Sequence, residues 1–148
     1  MSLTKDSNTS STESELHQAS VLLSLKGDRA FRRLKRAKSA NVKHLSLRSM
    51  PHLAQKTYKK HEPTKQAVAS KQSVLFVGIV VNKKVGNAVV RNKVRRRIKE
   101  AVAQIIKDNL LPQRALDIVI IARPSAASIS YEILKQNVYG AMKKGNLL

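Results

Sequence analysis

Two apolar runs and the segment between them carry the strongest patterns in the chain. Residues 74–81 form a continuous, β-branched run, which is typical of a central strand buried on both faces. Residues 117–122 have the same character and predict a second buried strand. From residue 88 to about residue 108, apolar side chains recur at helical spacing, so an amphipathic helix is expected there. Its inward face would consist of Val90, Val94, Ile98, Ala101, Val102 and Ile105.

Weaker patterns predict a short helix and a strand earlier in the chain. The helix is expected to begin after Gly27, with Asp28 as its cap and with Phe31 and Leu34 as a thin apolar edge among basic residues. Polar and apolar residues then alternate over residues 42–49. This alternation predicts a strand that the next proline would end.

The carboxyl-terminal residues favour one more helix, whereas two other segments carry no core pattern. Ser130 is expected to cap a helix that runs to about residue 144, with Leu134, Val138 and Met142 facing inward. Residues 1–21 are rich in hydroxyls and acids and predict a disordered polar tail. Residues 51–72 predict an exposed, Lys-rich connection. The remaining pattern, over residues 22–148, predicts one compact domain.

The charge of the chain indicates what kind of partner it has. There are 29 Lys and Arg residues against 9 Asp and Glu residues, a formal net charge of +20 at pH 7. A polyanion would compensate this charge, and nucleic acid is the first candidate. No apolar run approaches the roughly 18 to 20 residues that span a bilayer, so we expect no membrane partner. The amino end lacks the pattern of a secretory signal, so a cytoplasmic location is expected.

Residue types that carry chemistry are scarce. The absence of cysteine excludes disulfides and thiolate metal sites. The histidines show no metal-ligand spacing and are expected to be solvated; they are His17, His44, His52 and His61. We therefore predict neither catalytic residues nor a metal site in the protein itself.

Positive charge is concentrated at the start of the amphipathic helix. Gly86 permits a tight turn there, and Asn87 is expected to cap the helix that follows. On the helical wheel the basic residues lie away from the apolar face, where they can meet phosphates. This arrangement predicts a nucleic-acid-binding surface and leaves RNA and DNA both open. Residues 83–99 contain no acid and eight bases, namely Lys83, Lys84, Arg91, Lys93, Arg95, Arg96, Arg97 and Lys99.

Residues 77–102, VGIVVNKKVGNAVVRNKVRRRIKEAV, closely resemble the signature of the bacterial ribonuclease P protein: a strand, a Lys-Lys-x-Gly-x-Ala turn, and a helix that opens with Arg-Asn. LKGDRAFRRLKRAKS is similar to the family's first helix, and DIVIIARPSAASISYEILKQNV to its last strand and helix. The resemblance covers about residues 22–145. It implies a single α+β domain in α-β-β-α-β-α order, with a mixed sheet packed by helices as in the second domain of ribosomal protein S5. It also implies a left-handed β-α-β crossover, against the usual rule.

The resemblance implies a function as well. The family removes the 5′ leader of precursor tRNA endonucleolytically, with an RNA subunit that performs the cleavage and holds the Mg²⁺ ions. The protein would then assist a catalytic RNA, with ribonuclease P RNA and precursor tRNA as partners and with no obligate protein partner. The residues that match the family's RNA-facing turn and helix are Lys83, Lys84, Asn87, Arg91, Asn92, Lys93, Arg95, Arg96 and Lys99.

A cleft for the leader is implied by the same resemblance. Where relatives often carry aromatic residues, this chain has Lys35, His44 and Leu47, so charge and apolar contact are expected to replace part of the ring stacking. Phe31 could alternatively be a core residue, and Asn92 could be a local cap. By matching family positions, the cleft would be lined by Phe31, Lys35, Lys38, Asn41, Leu45 and Leu47.

Three other functions stay open on the residues alone. A ribosomal-type structural RNA-binding protein would share the charge, the size and the α+β layout. An independent protein nuclease would need acids or histidines, and the basic segment has none. A DNA-binding regulator is favoured least, because the basic helix follows a buried strand and a glycine turn rather than a short partner helix.

Overall fold

The computed structural model describes residues 20–25, 27–52, 73–108, 111 and 115–148. Within these ranges, short 3₁₀ turns at Lys83–Val85 and Pro124–Ser128 precede the second and third helices. The strands and helices, in chain order, are β1 (Ser20–Ser24), α1 (Asp28–Leu34), β2 (Ser39–Asn41), β3 (Leu45–Pro51), β4 (Ser73–Val81), α2 (Ala88–Asp108), β5 (Ala115–Ala122) and α3 (Tyr131–Lys144).

The strands form one mixed sheet in the order β1-β4-β5-β3-β2. β4 lies in the interior of the sheet and pairs in parallel with both β1 and β5. On the other side of β5, the strands β3 and β2 continue the sheet with antiparallel pairing. The two continuous apolar runs therefore occupy the two inner strands of the parallel part, as expected for strands that are covered on both faces.

The two faces of the sheet are packed differently. The face covered by α2 and α3 holds the larger core, which includes Leu45, Leu47, Ile98, Leu134 and Met142. Within the described part of the chain, the opposite face carries α1 alone and a smaller core around Leu34, Val74, Phe76 and Val119. Because α1 has only seven residues, it covers only part of its face of the sheet.

The strong sequence patterns are confirmed. The predicted long helix coincides with α2, and the two apolar runs lie within β4 and β5. Ser130 caps α3 as predicted, because its Oγ accepts a hydrogen bond from the backbone N–H of Ile133 at 3.3 Å. The α+β class is confirmed, and the handedness of the crossover from β4 to β5 remains a prediction.

The predicted element order is incomplete, because the described residues include two further short strands. β1 begins at Ser20, inside the segment that the sequence assigned to a tail; residues 1–19 lie outside the described residues. β2 has only three residues, too few for an alternation to be recognised. Of the predicted Lys-rich connection, residues 53–72 lie outside the described residues.

Two local predictions are wrong. Asp28 does not cap α1: Gly27 occupies the cap position with φ 99°, a conformation that favours glycine, and Asp28 lies in the first turn, where its charge suits the helix dipole. The expectation of solvated histidines fails for His44 and His52. Their Nδ1 atoms lie 2.8 Å from Oγ of Ser125 and 2.7 Å from Oδ1 of Asp117, respectively, and both side chains are buried. His17 and His61 lie outside the described residues.

Candidate nucleic-acid interface

The turn before α2 fixes where the basic helix begins. Gly86 has φ 156°, and a Cβ placed there would lie 2.8 Å from Cγ1 of Val90, so a larger residue would collide with the first turn of the helix. The side chain of Asn87 accepts a hydrogen bond from the backbone N–H of Val90 at 3.0 Å, which confirms it as the cap. The exposed Lys83 and Lys84 in the turn are thereby held beside the helix start.

Burial divides α2 into an inward and an outward face. Val94, Ile98, Ala101, Val102, Ile105 and Ile106 are buried, and Val90 is half-buried. Arg91 is half-buried near the preceding turn. The other predicted contacts on this helix are all exposed, so their charged and polar groups are available to a ligand; they are Asn92, Lys93, Arg95, Arg96 and Lys99.

Two hydrogen bonds made by arginines of α2 show which side chain holds the fold together and which remains available to a ligand. Arg97, which the predicted set leaves out, is half-buried and donates from Nη1 to the carbonyl of Ile129 at 3.2 Å, so it ties α2 to the loop before α3. Asn92 accepts from Nη1 of Arg95 at 3.3 Å. This contact orients the guanidinium without neutralising it, because the amide carries no charge.

A pocket of about 360 Å³ joins the two predicted sets of residues. It lies where β1 ends, between α1 and α2, and its lining includes Phe31, Arg95 and Lys99. Gly78 of β4 makes this possible, because a Cβ at that position would lie 2.6 Å from Cζ of Phe31. The ring therefore lies on the α1 face of the sheet at Gly78, whereas the two cations line the same pocket from α2 on the other face. Most of the remaining lining is aliphatic, including Leu23 and Val102.

The other predicted leader residues divide between the surface and the core. Lys35, Lys38 and Asn41 are exposed. Leu45 and Leu47 are 0% and 1% exposed and pack in the core under α2 and α3, so their prediction as cleft residues is wrong. Neighbouring strand residues point to opposite faces of a sheet, so a shift of one position exchanges the core-facing residues with those on the other face.

Ser46, Arg48 and Met50 lie on the α1 face of β3, and the sequence did not single out Ser46 and Arg48. Arg48 is half-buried and donates from Nη1 to the carbonyl of Lys35 at 2.9 Å, which links β3 to the end of α1. Alternation along β3 was the signal that could have found both, since Leu45 and Leu47 are the more apolar pair and belong on the core side.

A row of half-buried and exposed residues crosses the sheet beyond the end of α1. The register pairs Asn41 with Ser46, Ser46 with Ile121, and Ile121 with Val80. Asn41 is exposed, and the other three are half-buried. The row lies two residues along β4 from Gly78 and on the same face, so it continues the surface that begins at Phe31.

Asp117 and its partners lie on the same face of the sheet and form a structural cluster. His52 contacts the Asp117 carboxylate, and Nη1 of Arg33 lies 3.8 Å from its other oxygen. The His52 ring stacks on Phe76, with a centroid distance of 4.1 Å. Among the described residues, no group of three His, Cys, Asp or Glu side chains could hold a metal ion. In the same part of the chain, no helix is long and apolar enough to cross a membrane.

Comparisons with known proteins agree on one family. A family model described as Ribonuclease P matches residues 21–146. The Ribonuclease P protein component of Thermus brockianus is 39% identical over 127 residues, which are 86% of this chain and 62% of that protein. The Ribonuclease P protein component of Thermus oshimai is 34% identical over 131 residues, which are 88% of this chain and 70% of that protein. This chain thus spans about three fifths to seven tenths of the length of these relatives.

A solved structure supports the fold. The RNase P protein of Staphylococcus aureus superposes with a TM-score of 0.62 at 22% sequence identity, and the match covers 83% of this chain and 94% of that protein. At this identity the likeness concerns the fold alone, and it agrees with the mixed sheet and the three helices described above.

Proposed function

The chain belongs to the ribonuclease P protein family, and from this premise we propose that it is the protein subunit of a bacterial ribonuclease P. In this role it binds a catalytic RNA through α2 and its preceding turn, and it holds the 5′ leader of precursor tRNA against the α1 face of the sheet. The RNA subunit cleaves the precursor tRNA and holds the catalytic Mg²⁺ ions. The observation that carries the proposal is the pocket that Phe31, Arg95 and Lys99 all line.

Contact with the catalytic RNA is assigned to the outward face of α2. Its cations are exposed, and residues 83–99 contain no acid to repel phosphate. Arginine and lysine that neutralise phosphates release counterions, so binding weakens steeply as salt rises. Arg91 and Asn87 belong to this surface at its edge, where the turn meets the helix.

The leader is assigned to a cleft that starts at the pocket and runs along the α1 face. Phe31 offers one ring for stacking on a base, while Arg95 and Lys99 meet the adjoining phosphates. Lys35, Lys38 and Asn41 extend the cleft. Leu45 and Leu47 are replaced in this assignment by the residues that face α1, namely Ser46, Arg48, Val80 and Ile121.

Magnesium chemistry falls to the RNA in this proposal. The polar side chains on the outward face of α2 up to Lys99 are all cationic or amide groups, and such groups repel a divalent cation or bind it weakly. Their contribution to cleavage is electrostatic: they reduce the repulsion between the RNA subunit and its polyanionic substrate, so less magnesium is needed for the two RNAs to associate.

The test is a precursor-tRNA cleavage assay at low Mg²⁺, with a transcribed Thermus ribonuclease P RNA, with and without this protein. We expect cleavage to require the RNA, to increase with the protein, and to decrease with the double variant Arg95→Ala/Lys99→Ala. A control that removes the same charge elsewhere is Lys107→Ala/Lys143→Ala, which alters two exposed lysines outside the assigned surface.

The alternatives give different outcomes in the same assay. Cleavage by the protein alone would make it a nuclease. A protein that stimulates no ribonuclease P RNA would instead fit the ribosomal-type reading, and equal loss in both double variants would show that only net charge matters.

A further inference from the structure

Val89 is an apolar side chain at the surface of the most basic helix. It is 77% exposed. In the described part of the chain, the other exposed large apolar residues are Ile133 and Tyr139, which are 43% and 38% exposed. Its orientation follows from its neighbour. Val90 packs against Gly86 and turns inward, which directs Val89 outward at the first turn of α2.

The surroundings of Val89 are cationic and polar. Helical spacing places Asn92 and Lys93 one turn further along the same face and Arg96 two turns further, and all three are exposed. Glu100 is the first acid on this face, about 16 Å from Val89 at 1.5 Å per residue. The stripe that can meet a polyanion thus begins at Val89 and ends before Glu100.

Neither folding nor charge accounts for valine at this position. An exposed β-branched residue disfavours a helix relative to alanine or lysine, and here it has no core contact to compensate. A lysine would be better for the helix and would add another phosphate-binding charge. Single exposed apolar residues are common on protein surfaces, but this one lies at the head of the stripe assigned to RNA.

We propose that Val89 makes an apolar contact with a ribose or base of the RNA whose phosphates are held by Lys93 and Arg96. The contact rests on the proposed function of α2. Phosphate neutralisation gives an affinity that falls with salt, whereas burial of an apolar side chain releases no counterions. Val89 therefore contributes a part of the affinity that persists when salt weakens the rest.

The experiment measures the dissociation constant for a transcribed Thermus ribonuclease P RNA over a range of salt concentrations. Val89→Thr keeps the shape and the helix propensity but replaces a methyl group by a hydroxyl. We expect it to bind about five- to tenfold more weakly at every salt concentration, so that its plot of log affinity against log salt runs parallel to that of the parent. Ile133→Thr is the matched control on α3, and it should bind as the parent does.

Two charge variants complete the test. Arg96→Ala should make the salt dependence shallower by about 0.9 in slope, so its deficit shrinks as salt rises. Val89→Lys should bind more tightly than the parent at low salt and more weakly at high salt, because it gains a phosphate contact and loses the apolar one.

The outcomes separate the inference from its premise. If Val89→Thr matches the parent at all salt concentrations while Arg96→Ala weakens binding, Val89 makes no such contact and the inference is overturned. If Val89→Lys binds more tightly than the parent throughout, the stripe is purely electrostatic and the inference is also overturned. If neither Arg96→Ala nor Arg95→Ala affects binding, α2 is not the RNA interface and the proposed function fails first.

Discussion

The two faces of the sheet differ in how completely they are covered. On one face, α2 and α3 bury the apolar side chains of β3 and β5 almost fully, with Leu45 and Leu47 as examples. On the other face, the short α1 leaves Phe31, Ser46, Val80 and Ile121 half-buried. The difference fits the proposal that the first face supplies stability and the second a surface for a ligand, since a half-covered apolar face gains free energy when something covers it.

The largest effect is expected on the covered face. Leu47→Ala should lower the free energy of unfolding by about 3 kcal/mol, because the leucine is fully buried and its loss leaves a cavity. Urea unfolding of the isolated protein measures this. Its neighbour Ser46→Ala, on the α1 face, should change stability by less than about 0.5 kcal/mol. Similar values for the two variants would mean that the faces do not differ as described.

A second effect concerns the turn that precedes the basic helix. Asn87→Ala should cost about 1 kcal/mol of stability, because the backbone N–H of Val90 loses its side-chain acceptor. Thermal unfolding followed by circular dichroism checks this. Asn87→Asp retains an acceptor and should keep most of the stability, although it places a negative charge in the assigned RNA surface. A neutral result for Asn87→Ala would contradict the capping role.

Arg96 and Arg97 allow the comparison between stability and ligand binding to be made within one helix. Arg97→Ala should lower stability by roughly 1 kcal/mol, because its hydrogen bond to Ile129 is lost, and should change the salt dependence of RNA binding little. Arg96→Ala should leave stability almost unchanged and should make the salt dependence of RNA binding shallower, since Arg96 is exposed. Unfolding curves and salt titrations of both variants provide the test, and an exchange of the two behaviours would overturn the division of α2 into structural and binding groups.

A small effect on stability, with a clearer effect on function, is expected at Gly78. Gly78→Ala places a methyl group against the tip of the Phe31 ring, which is half-buried and can swing away at a cost of about 1 kcal/mol or less. Binding of leader-containing precursor tRNA by the assembled enzyme should nevertheless weaken. If leader binding is unaffected while the ring is displaced, stacking on Phe31 is not used.

The helices and strands that could be predicted from the sequence are those with long sequence patterns. β4 and α2 were predicted closely because each signal, a continuous apolar run for β4 and a helical repeat for α2, extends over eight or more residues. β1 and β2 were missed because strands of five and three residues offer too few repeats, and both owe their existence to pairing with a neighbour.

The exposure of the candidate binding surface was predicted in part, for a related reason. The cations of α2 follow from a local pattern, and the structure leaves them exposed. Leu45 and Leu47 were assigned to the wrong face because a match of positions in a short strand is sensitive to a shift of one residue. No local pattern could show that Phe31 and Arg95 line one pocket, because Gly78 of β4, which belongs to neither helix, creates the space for the ring.

The most direct test of the central claim is a comparison of two substrates. The affinity of the assembled ribonucleoprotein is measured for precursor tRNA and for the same tRNA without its leader, with the parent protein and with Phe31→Ala. We predict that the parent favours the precursor and that Phe31→Ala loses most of this preference while binding leaderless tRNA as before. An equal loss of affinity for both substrates, or an unchanged preference, would contradict the assignment of the α1 face to the leader.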